Sequence, residues 1–199
     1  MKGLSIITNF GCDNACEYCI WKQHELRDHY TSLHSTNWEK LYEFVVSSGD
    51  KISLSGGGDP FYKFENNMDW YKKLFQLCYK KIDVHTSKII TDFDFLTAFN
   101  RIVLHINPWF YNLDVLKQYK NKLRLVCVIT EELTKEKIDE IIEASDELNC
   151  QVSFRELYDK TSPKELMEYV NQQPKAKLIK QNDYNLYFMP DNSIREKFI

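Results

Sequence analysis

Cys12, Cys16 and Cys19 stand in the segment Cys12-Asp13-Asn14-Ala15-Cys16-Glu17-Tyr18-Cys19, a C-x3-C-x2-C spacing just after an apolar run near the N-terminus. Three thiolates on one short loop form a metal site one ligand short. An iron-sulfur cluster with three protein thiolates leaves one iron open to a non-protein ligand, and that open iron is where chemistry happens. The competing chemistry is structural zinc, which takes four ligands, with His24, His29 or His34 available as the fourth. Structural zinc normally draws its ligands from two separated pairs, whereas here three cysteines crowd into eight residues and no second pair follows.

A second segment invites ligand chemistry. Ser55-Gly56-Gly57-Gly58-Asp59-Pro60 directly follows an apolar strand pattern, so its backbone can approach a ligand closely and offer amide and carbonyl groups. Alone it is a weak signal, because glycines also simply make turns.

Taken together, these motifs resemble the radical S-adenosylmethionine (SAM) superfamily, whose cysteine motif has this spacing with an aromatic residue, here Tyr18, before the third cysteine. The resemblance covers about residues 4 to 157. It implies a 4Fe-4S cluster on Cys12, Cys16 and Cys19 and SAM chelated at the open iron. It further implies one-electron cleavage of SAM to methionine and a 5'-deoxyadenosyl radical that abstracts hydrogen from a substrate. Gly57-Gly58-Asp59-Pro60 matches the family's Gly-Gly-Glu-Pro-like segment at the SAM amino group, with Asp59 in place of the more usual glutamate and Gly56 before it. Weaker matches at strand ends are Thr86 and Ser87 after the third strand, His105 and Asn107 for SAM ribose or carboxylate, and Ile129 for adenine. The resemblance also implies a flavodoxin- or ferredoxin-like electron donor and a small-molecule, peptide or protein substrate. Activating enzymes for glycyl-radical proteins and carboxy-7-deazaguanine synthases usually carry a glycine-rich lead segment, and only eleven residues precede Cys12, which counts against both. The alternative from another class is a non-catalytic interaction protein stapled by zinc or a cluster.

The elements that position these residues follow from hydrophobic patterning. Short apolar runs alternate with amphipathic stretches, the pattern of strand-helix units around a parallel sheet. Strands are expected at Leu4 to Thr8, Ile52 to Ser55, Ile82 to Thr86, Ile102 to Ile106, Leu123 to Ile129 and Gln151 to Glu156. Helices are expected at Thr36 to Ser47, Asn67 to Tyr79, Asp92 to Phe99, Leu113 to Tyr119, Thr134 to Leu148 and Ser162 to Gln172, with Thr134 as a cap and Ser162 capping ahead of Pro163. Six units in 199 residues suit an open partial barrel, the α/β architecture that the resemblance also implies, since a full eight-unit barrel takes about 250 residues. Residues 1–174 are read as the barrel. Residues 175–199, with Tyr184 to Met189 as a further strand and a turn at Pro190-Asp191-Asn192, are read as a tail closing its edge or covering its site.

Strand alternation predicts what the inner face holds. If the apolar sets face helices, Ser53, Ser55, His105, Asn107, Ser153 and Arg155 gather in a polar lumen. Arg155, with Ser153 beside it, is a candidate clamp for a substrate carboxylate or phosphate; the bland reading is a salt bridge to Glu156 or Asp159. Trp21, Tyr30, Trp70, Trp109, Phe110 and Tyr111 are candidates for a substrate wall or partner surface, with core packing the ordinary role.

Charge narrows the partners. With 26 Lys and Arg against 29 Asp and Glu and no basic block, duplex nucleic acid is not an expected partner. The N-terminal apolar stretch is too short for a signal sequence and no run reaches membrane-spanning length, so the expectation is a cytoplasmic chain with no membrane partner. Cys78, Cys127 and Cys150 sit singly in apolar or amphipathic segments and read as core cysteines.

Overall fold

A computed structural model describes residues 3–8, 11–14, 16–20, 33–47, 51–55, 57–78, 81–106, 112–158, 161–180 and 185–197. The chain forms two compact units. Unit 1 comprises Met1–Lys88, Thr97–Asn100 and Asp183–Ile199, and unit 2 comprises Ile89–Leu96 and Arg101–Asn182.

In unit 1, strands β1 (Gly3–Ile7), β2 (Lys51–Ser55) and β3 (Lys81–Thr86) run parallel in that order. Leu4, Ile6, Ile52, Leu54, Ile82 and Val84 alternate onto one face and are buried, because residues two apart on a strand share a face. The helices are α1 (Trp38–Val46) and α2 (Met68–Leu77), which bury Leu41, Phe44 and Val45, and Trp70, Tyr71 and Leu74. Asn37 caps α1, its side chain accepting from the Lys40 amide at 3.1 Å. Phe61, Tyr71, Phe75 and Phe99 form an aromatic cluster, Phe61 to Phe99 at 5.7 Å and Phe75 to Phe99 at 5.1 Å between ring centroids.

In unit 2, β4 (Arg101–His105), β5 (Leu123–Val128), β6 (Gln151–Arg155) and β7 (Ala176–Ile179) are successive parallel neighbours. Short helices α3 (Phe93–Thr97) and α4 (Leu113–Leu116) precede β4 and β5. The longer α5 (Lys135–Glu147) packs on β6, and α6 (Lys164–Gln172) packs on β7. Thr134 caps α5 as expected, accepting from the Lys137 amide. Ser162 does not cap α6. Pro163 takes the extended cap position, while the buried Ser162 hydroxyl accepts from Leu157 N at 2.8 Å and donates to Ile129 O at 3.0 Å. Its hydroxyl joins the loop after β6 to the end of β5 instead.

The six expected strands are present with ends shifted by a residue. The fourth expected helix stops at Leu116 and tightens into a 3-10 turn over Lys117–Lys122, in which Tyr119 is buried three residues after the buried Leu116. The expected tail is divided between the units. β7 pairs with β6, whereas β8 (Asn185–Phe188) pairs parallel with β1, Leu4 opposite Leu186, and antiparallel with β9 (Ile194–Arg195). Asn192, at φ 63°, accepts from the Asn37 amide at 2.7 Å and donates to Ser35 O at 3.0 Å, fastening the C-terminal turn to the start of α1. No described helix is long and apolar enough to cross a membrane.

Candidate functional site

The cysteine loop leaves β1 and is held at its start by backbone. Thr8 N donates to Ser55 O at 3.1 Å, and Gly11 O accepts from Asp59 N at 2.8 Å, so the loop starts against the glycine segment. A Cβ on Gly11 would lie 2.3 Å from Cδ1 of Tyr62, which makes glycine the residue this close approach requires. No described glycine has positive φ. In the turn that follows, Cys19 N donates to Cys16 O at 3.2 Å and Asn14 N donates to the sulfur of Cys12 at 3.4 Å.

All three thiols are half-buried. Burial pushes the Cys12 thiol up to about 11, with the Asp59 carboxylate and then the sulfurs of Cys19 and Cys16 adding to the rise and the Asn14 amide opposing it. Three sulfurs thus share one electrostatic neighbourhood, with an amide already aimed at one of them. That donor set, soft and all-thiol, fits an iron-sulfur cluster. Among the described residues no three His, Cys, Asp or Glu groups converge on one point as ligands of a single ion would. A cubane takes its cysteines at separate irons and does not ask them to converge.

Asp59 is the hub of this region and is 5% exposed. Its Oδ1 accepts from Phe61 N at 2.9 Å and the Thr86 hydroxyl at 2.7 Å, and its Oδ2 accepts from Ser87 N at 2.6 Å and the Ser87 hydroxyl at 2.8 Å. Asn14 Nδ2 then donates to Ser87 Oγ at 2.7 Å. One carboxylate therefore spans the glycine segment, the end of β3 and, through Ser87 and Asn14, the cysteine loop. Lys88 adds a second tie. Its ammonium lies 3.7 Å from Asp13 Oδ2 and 3.4 Å from Phe61 O, above the ring of Phe64. Beneath the segment, the Pro60 carbonyl accepts from the Tyr71 hydroxyl, whose ionisation is pushed upward by complete burial and then by the Asp59 charge.

Thus unit 1 brings Cys12, Cys16, Tyr18, Cys19, Gly57, Gly58, Asp59, Pro60, Thr86 and Ser87 onto connected segments. The expectation that Asp59 meets a ligand needs refinement, since its carboxylate already accepts four hydrogen bonds. Unit 2 holds His105, Ile129, Ser153 and Arg155. His105 and Arg155 end β4 and β6 and are half-exposed. Ile129 is fully buried, its amide donating to Arg155 O at 2.9 Å. Ser153 is buried and accepts from Arg124, Nε at 3.1 Å and Nη2 at 2.6 Å. Gly56 and Asn107 lie outside the described residues, as do His24, His29, Trp21, Tyr30, Trp109, Phe110 and Tyr111, while Trp70 packs in the core of unit 1.

Sequence reasoning passed over Gly11, Asn14, Lys88 and Arg124. Asn14 sits between two cysteines of the motif and was visible as a polar loop residue, but nothing marked its partner. Arg124 interrupts the apolar run Leu123-Arg124-Leu125-Val126-Cys127-Val128, and a lone cation in such a run is the signal that pointed to it.

No family model and no curated protein matches this chain. Among solved structures, the chain is similar to SuiB of Streptococcus suis, with TM-score 0.69 at 13% identity over 98% of this chain and 60% of that one. It is similar to SuiB bound to S-adenosylmethionine, TM-score 0.70 at 13% identity with the same coverage. It is also similar to SuiB bound to the precursor peptide SuiA, TM-score 0.68 at 12% identity over 98% of this chain and 59% of that one. The chain therefore spans about 60% of the length of the structures it matches. At these identities the likeness is one of fold, and it bears out the expected α/β partial-barrel class.

Proposed function

We propose that this chain is a radical SAM enzyme that holds a 4Fe-4S cluster through Cys12, Cys16 and Cys19 and acts on a peptide. The observation that carries this reading is the joining of its two motifs. The Asp59 amide meets Gly11 at the root of the cysteine loop, and the Asp59 carboxylate reaches Asn14 inside that loop through Ser87. The fold shared with SuiB, a protein solved with S-adenosylmethionine and with a precursor peptide, supports the cofactor and the substrate class.

When bound and reduced by a flavodoxin- or ferredoxin-like donor, such a cluster cleaves SAM to methionine and a 5'-deoxyadenosyl radical that takes hydrogen from the substrate. The residues of this chain bind and position. The three thiolates hold the irons, and the Asn14 amide at the Cys12 sulfur stabilises negative charge there. Gly57 and Gly58 offer backbone groups to the SAM amino group without a side chain in the way. Asp59 fixes that backbone against the cysteine loop, with Thr86 and Ser87 as its donors, so that cluster and SAM are held in one frame.

The test is anaerobic reconstitution with iron and sulfide, followed by dithionite reduction with SAM and chromatography for 5'-deoxyadenosine. A full cubane of iron per chain with deoxyadenosine formed is the expected result, and Cys16→Ala removes both. Stoichiometric zinc with no SAM cleavage refutes the reading.

A further inference from the structure

The contact between Ser87 and Asn14 has a fixed direction. A carboxylate has no proton to give, so the Ser87 hydroxyl is the donor at Asp59 Oδ2, at 2.8 Å. That bond uses its one hydrogen and leaves its oxygen as an acceptor. Asn14 therefore presents its NH2 group to Ser87 Oγ, at 2.7 Å, and not its carbonyl oxygen. Donation to a carboxylate also draws negative charge onto the hydroxyl oxygen and strengthens it as an acceptor.

That strength matters because Asn14 is exposed. An exposed loop asparagine can bond to water in any rotamer, and a strong, immobile acceptor is what holds it in one. Ser87 is immobile, because its amide donates to the same Oδ2 of Asp59 at 2.6 Å. The next residue adds to the grip. The Lys88 amide donates to Thr86 Oγ1 at 2.9 Å, and its ammonium lies 3.7 Å from Asp13, the neighbour of Asn14. The backbone end of Asn14 faces the motif, its amide donating to Cys12 Sγ at 3.4 Å. One residue is thus moored by its side chain to the end of β3 and aims its amide at a cysteine sulfur. An amide at a cluster thiolate favours the state with more negative charge, and hydrogen bonds to sulfur help to set a cluster's reduction potential.

We infer that Ser87 and Asn14 are positioning residues that set the reduction potential of the cluster held by Cys12, Cys16 and Cys19. Ser87 acts through the Asn14 side chain, which keeps the Asn14 amide on the Cys12 sulfur and so eases one-electron reduction by the flavodoxin- or ferredoxin-like donor. The inference rests on the proposed function in assigning a cluster to these cysteines, but its test reads no SAM cleavage.

The test is a potentiometric titration of the reconstituted full chain without SAM, read by electron paramagnetic resonance of the reduced cluster. The signal comes from loaded chains alone, so a merely structural role, which lowers iron content, leaves the midpoint where it was. Ser87→Ala is expected to make reduction about tenfold less favourable, a fall of about 59 mV for a one-electron couple. Asn14→Ala keeps the backbone amide and loses the mooring, so its midpoint is expected to fall similarly. The double variant should fall no further, because both changes remove the same tie. Ser87→Thr, which keeps the hydroxyl, should return the parent midpoint. Circular dichroism identifies a variant that fails to fold, and the exposed Asn14→Ala change carries the test if Ser87→Ala does. Parent midpoints in the alanine variants, additive falls in the double variant, or an equal fall in Ser87→Thr overturn the inference with the cluster in place. A parent chain that takes up no cluster overturns the proposed function and this inference with it.

Discussion

Replacing Asp59 by alanine tests whether its carboxylate is a brace. The change removes the acceptor of two amides and two hydroxyls. The Thr86 and Ser87 hydroxyls can rotate toward other acceptors, whereas the Phe61 and Ser87 amides are fixed by the chain. A buried donor left without a partner costs about 1 to 3 kcal/mol, so two stranded amides imply a loss of about 2 to 6 kcal/mol. Removing the carboxylate also removes its own desolvation cost, which favours the lower part of that range, about 2 to 4 kcal/mol. Asp59→Asn sharpens the test. It keeps the acceptor for Phe61 and Thr86 but sets an NH2 group against the Ser87 amide, stranding one donor at about 1 to 3 kcal/mol. Urea unfolding of the cluster-free chain, compared at a common slope, gives both numbers. In parallel, alkylation of the cysteine loop should accelerate in both variants, because Ser87 then no longer holds Asn14 in place. Stability within about 0.5 kcal/mol of the parent for Asp59→Ala, or unchanged alkylation, refutes the brace.

Gly11→Ala should destabilise the chain, because the new methyl meets the Tyr62 ring; adding Tyr62→Ala should recover most of that loss in a double-mutant cycle, and additivity of the two changes would show that they do not touch. Burial pushes the Cys127 thiol from its ordinary value of 9.0 up to about 12. The unfolded chain therefore releases this proton first as pH rises, so the contribution of Cys127 to stability is complete below pH 9.0 and is lost between there and about 12. Cys127→Ala should flatten that segment of the stability profile, and Cys127 should resist thiol reagents at pH 8 until the chain unfolds. Asn192→Ala removes a donor and an acceptor at the start of α1. It should cost about 1 kcal/mol and raise hydrogen exchange at Asn37; exchange at the parent rate would dismiss the tie.

The sheet was legible because its strands are short apolar runs of period two, and the longer helices because Asn37 and Thr134 cap amphipathic stretches. β7 was not, since Ala176-Lys177-Leu178-Ile179 is a short half-exposed segment that becomes a strand only by pairing with β6. The 3-10 turn after α4 replaced an expected helical turn, its buried Leu116 and Tyr119 standing three residues apart. At the site, spacing along the chain made the cysteines and the glycine segment visible, but partners far apart in sequence were not. Asn14 and Ser87 are separated by 73 positions, and Arg124 and Ser153 by 29. Asp59 drew notice as a motif residue, while its four donors belong to three positions whose convergence only the folded loops supply. The weight placed on Gly56 to Gly58 missed Gly11, whose need for glycine arises from a tyrosine ring reached across two loops.

The pairing of β1 with β8 sets an order on biosynthesis. Unit 2 draws its residues from one nearly continuous stretch and can consolidate as soon as that stretch leaves the ribosome, whereas β1 keeps an open edge until Asn185–Phe188 emerges. Long-range closures of this kind come late because the entropy of closing the loop must be met before the contact forms. The strand leading into the three cysteines therefore gains its second neighbour only once β8 has emerged. Nascent or prematurely terminated chains that lack β8 present a bare strand edge beside unprotected thiols, a surface suited to pairing with another copy.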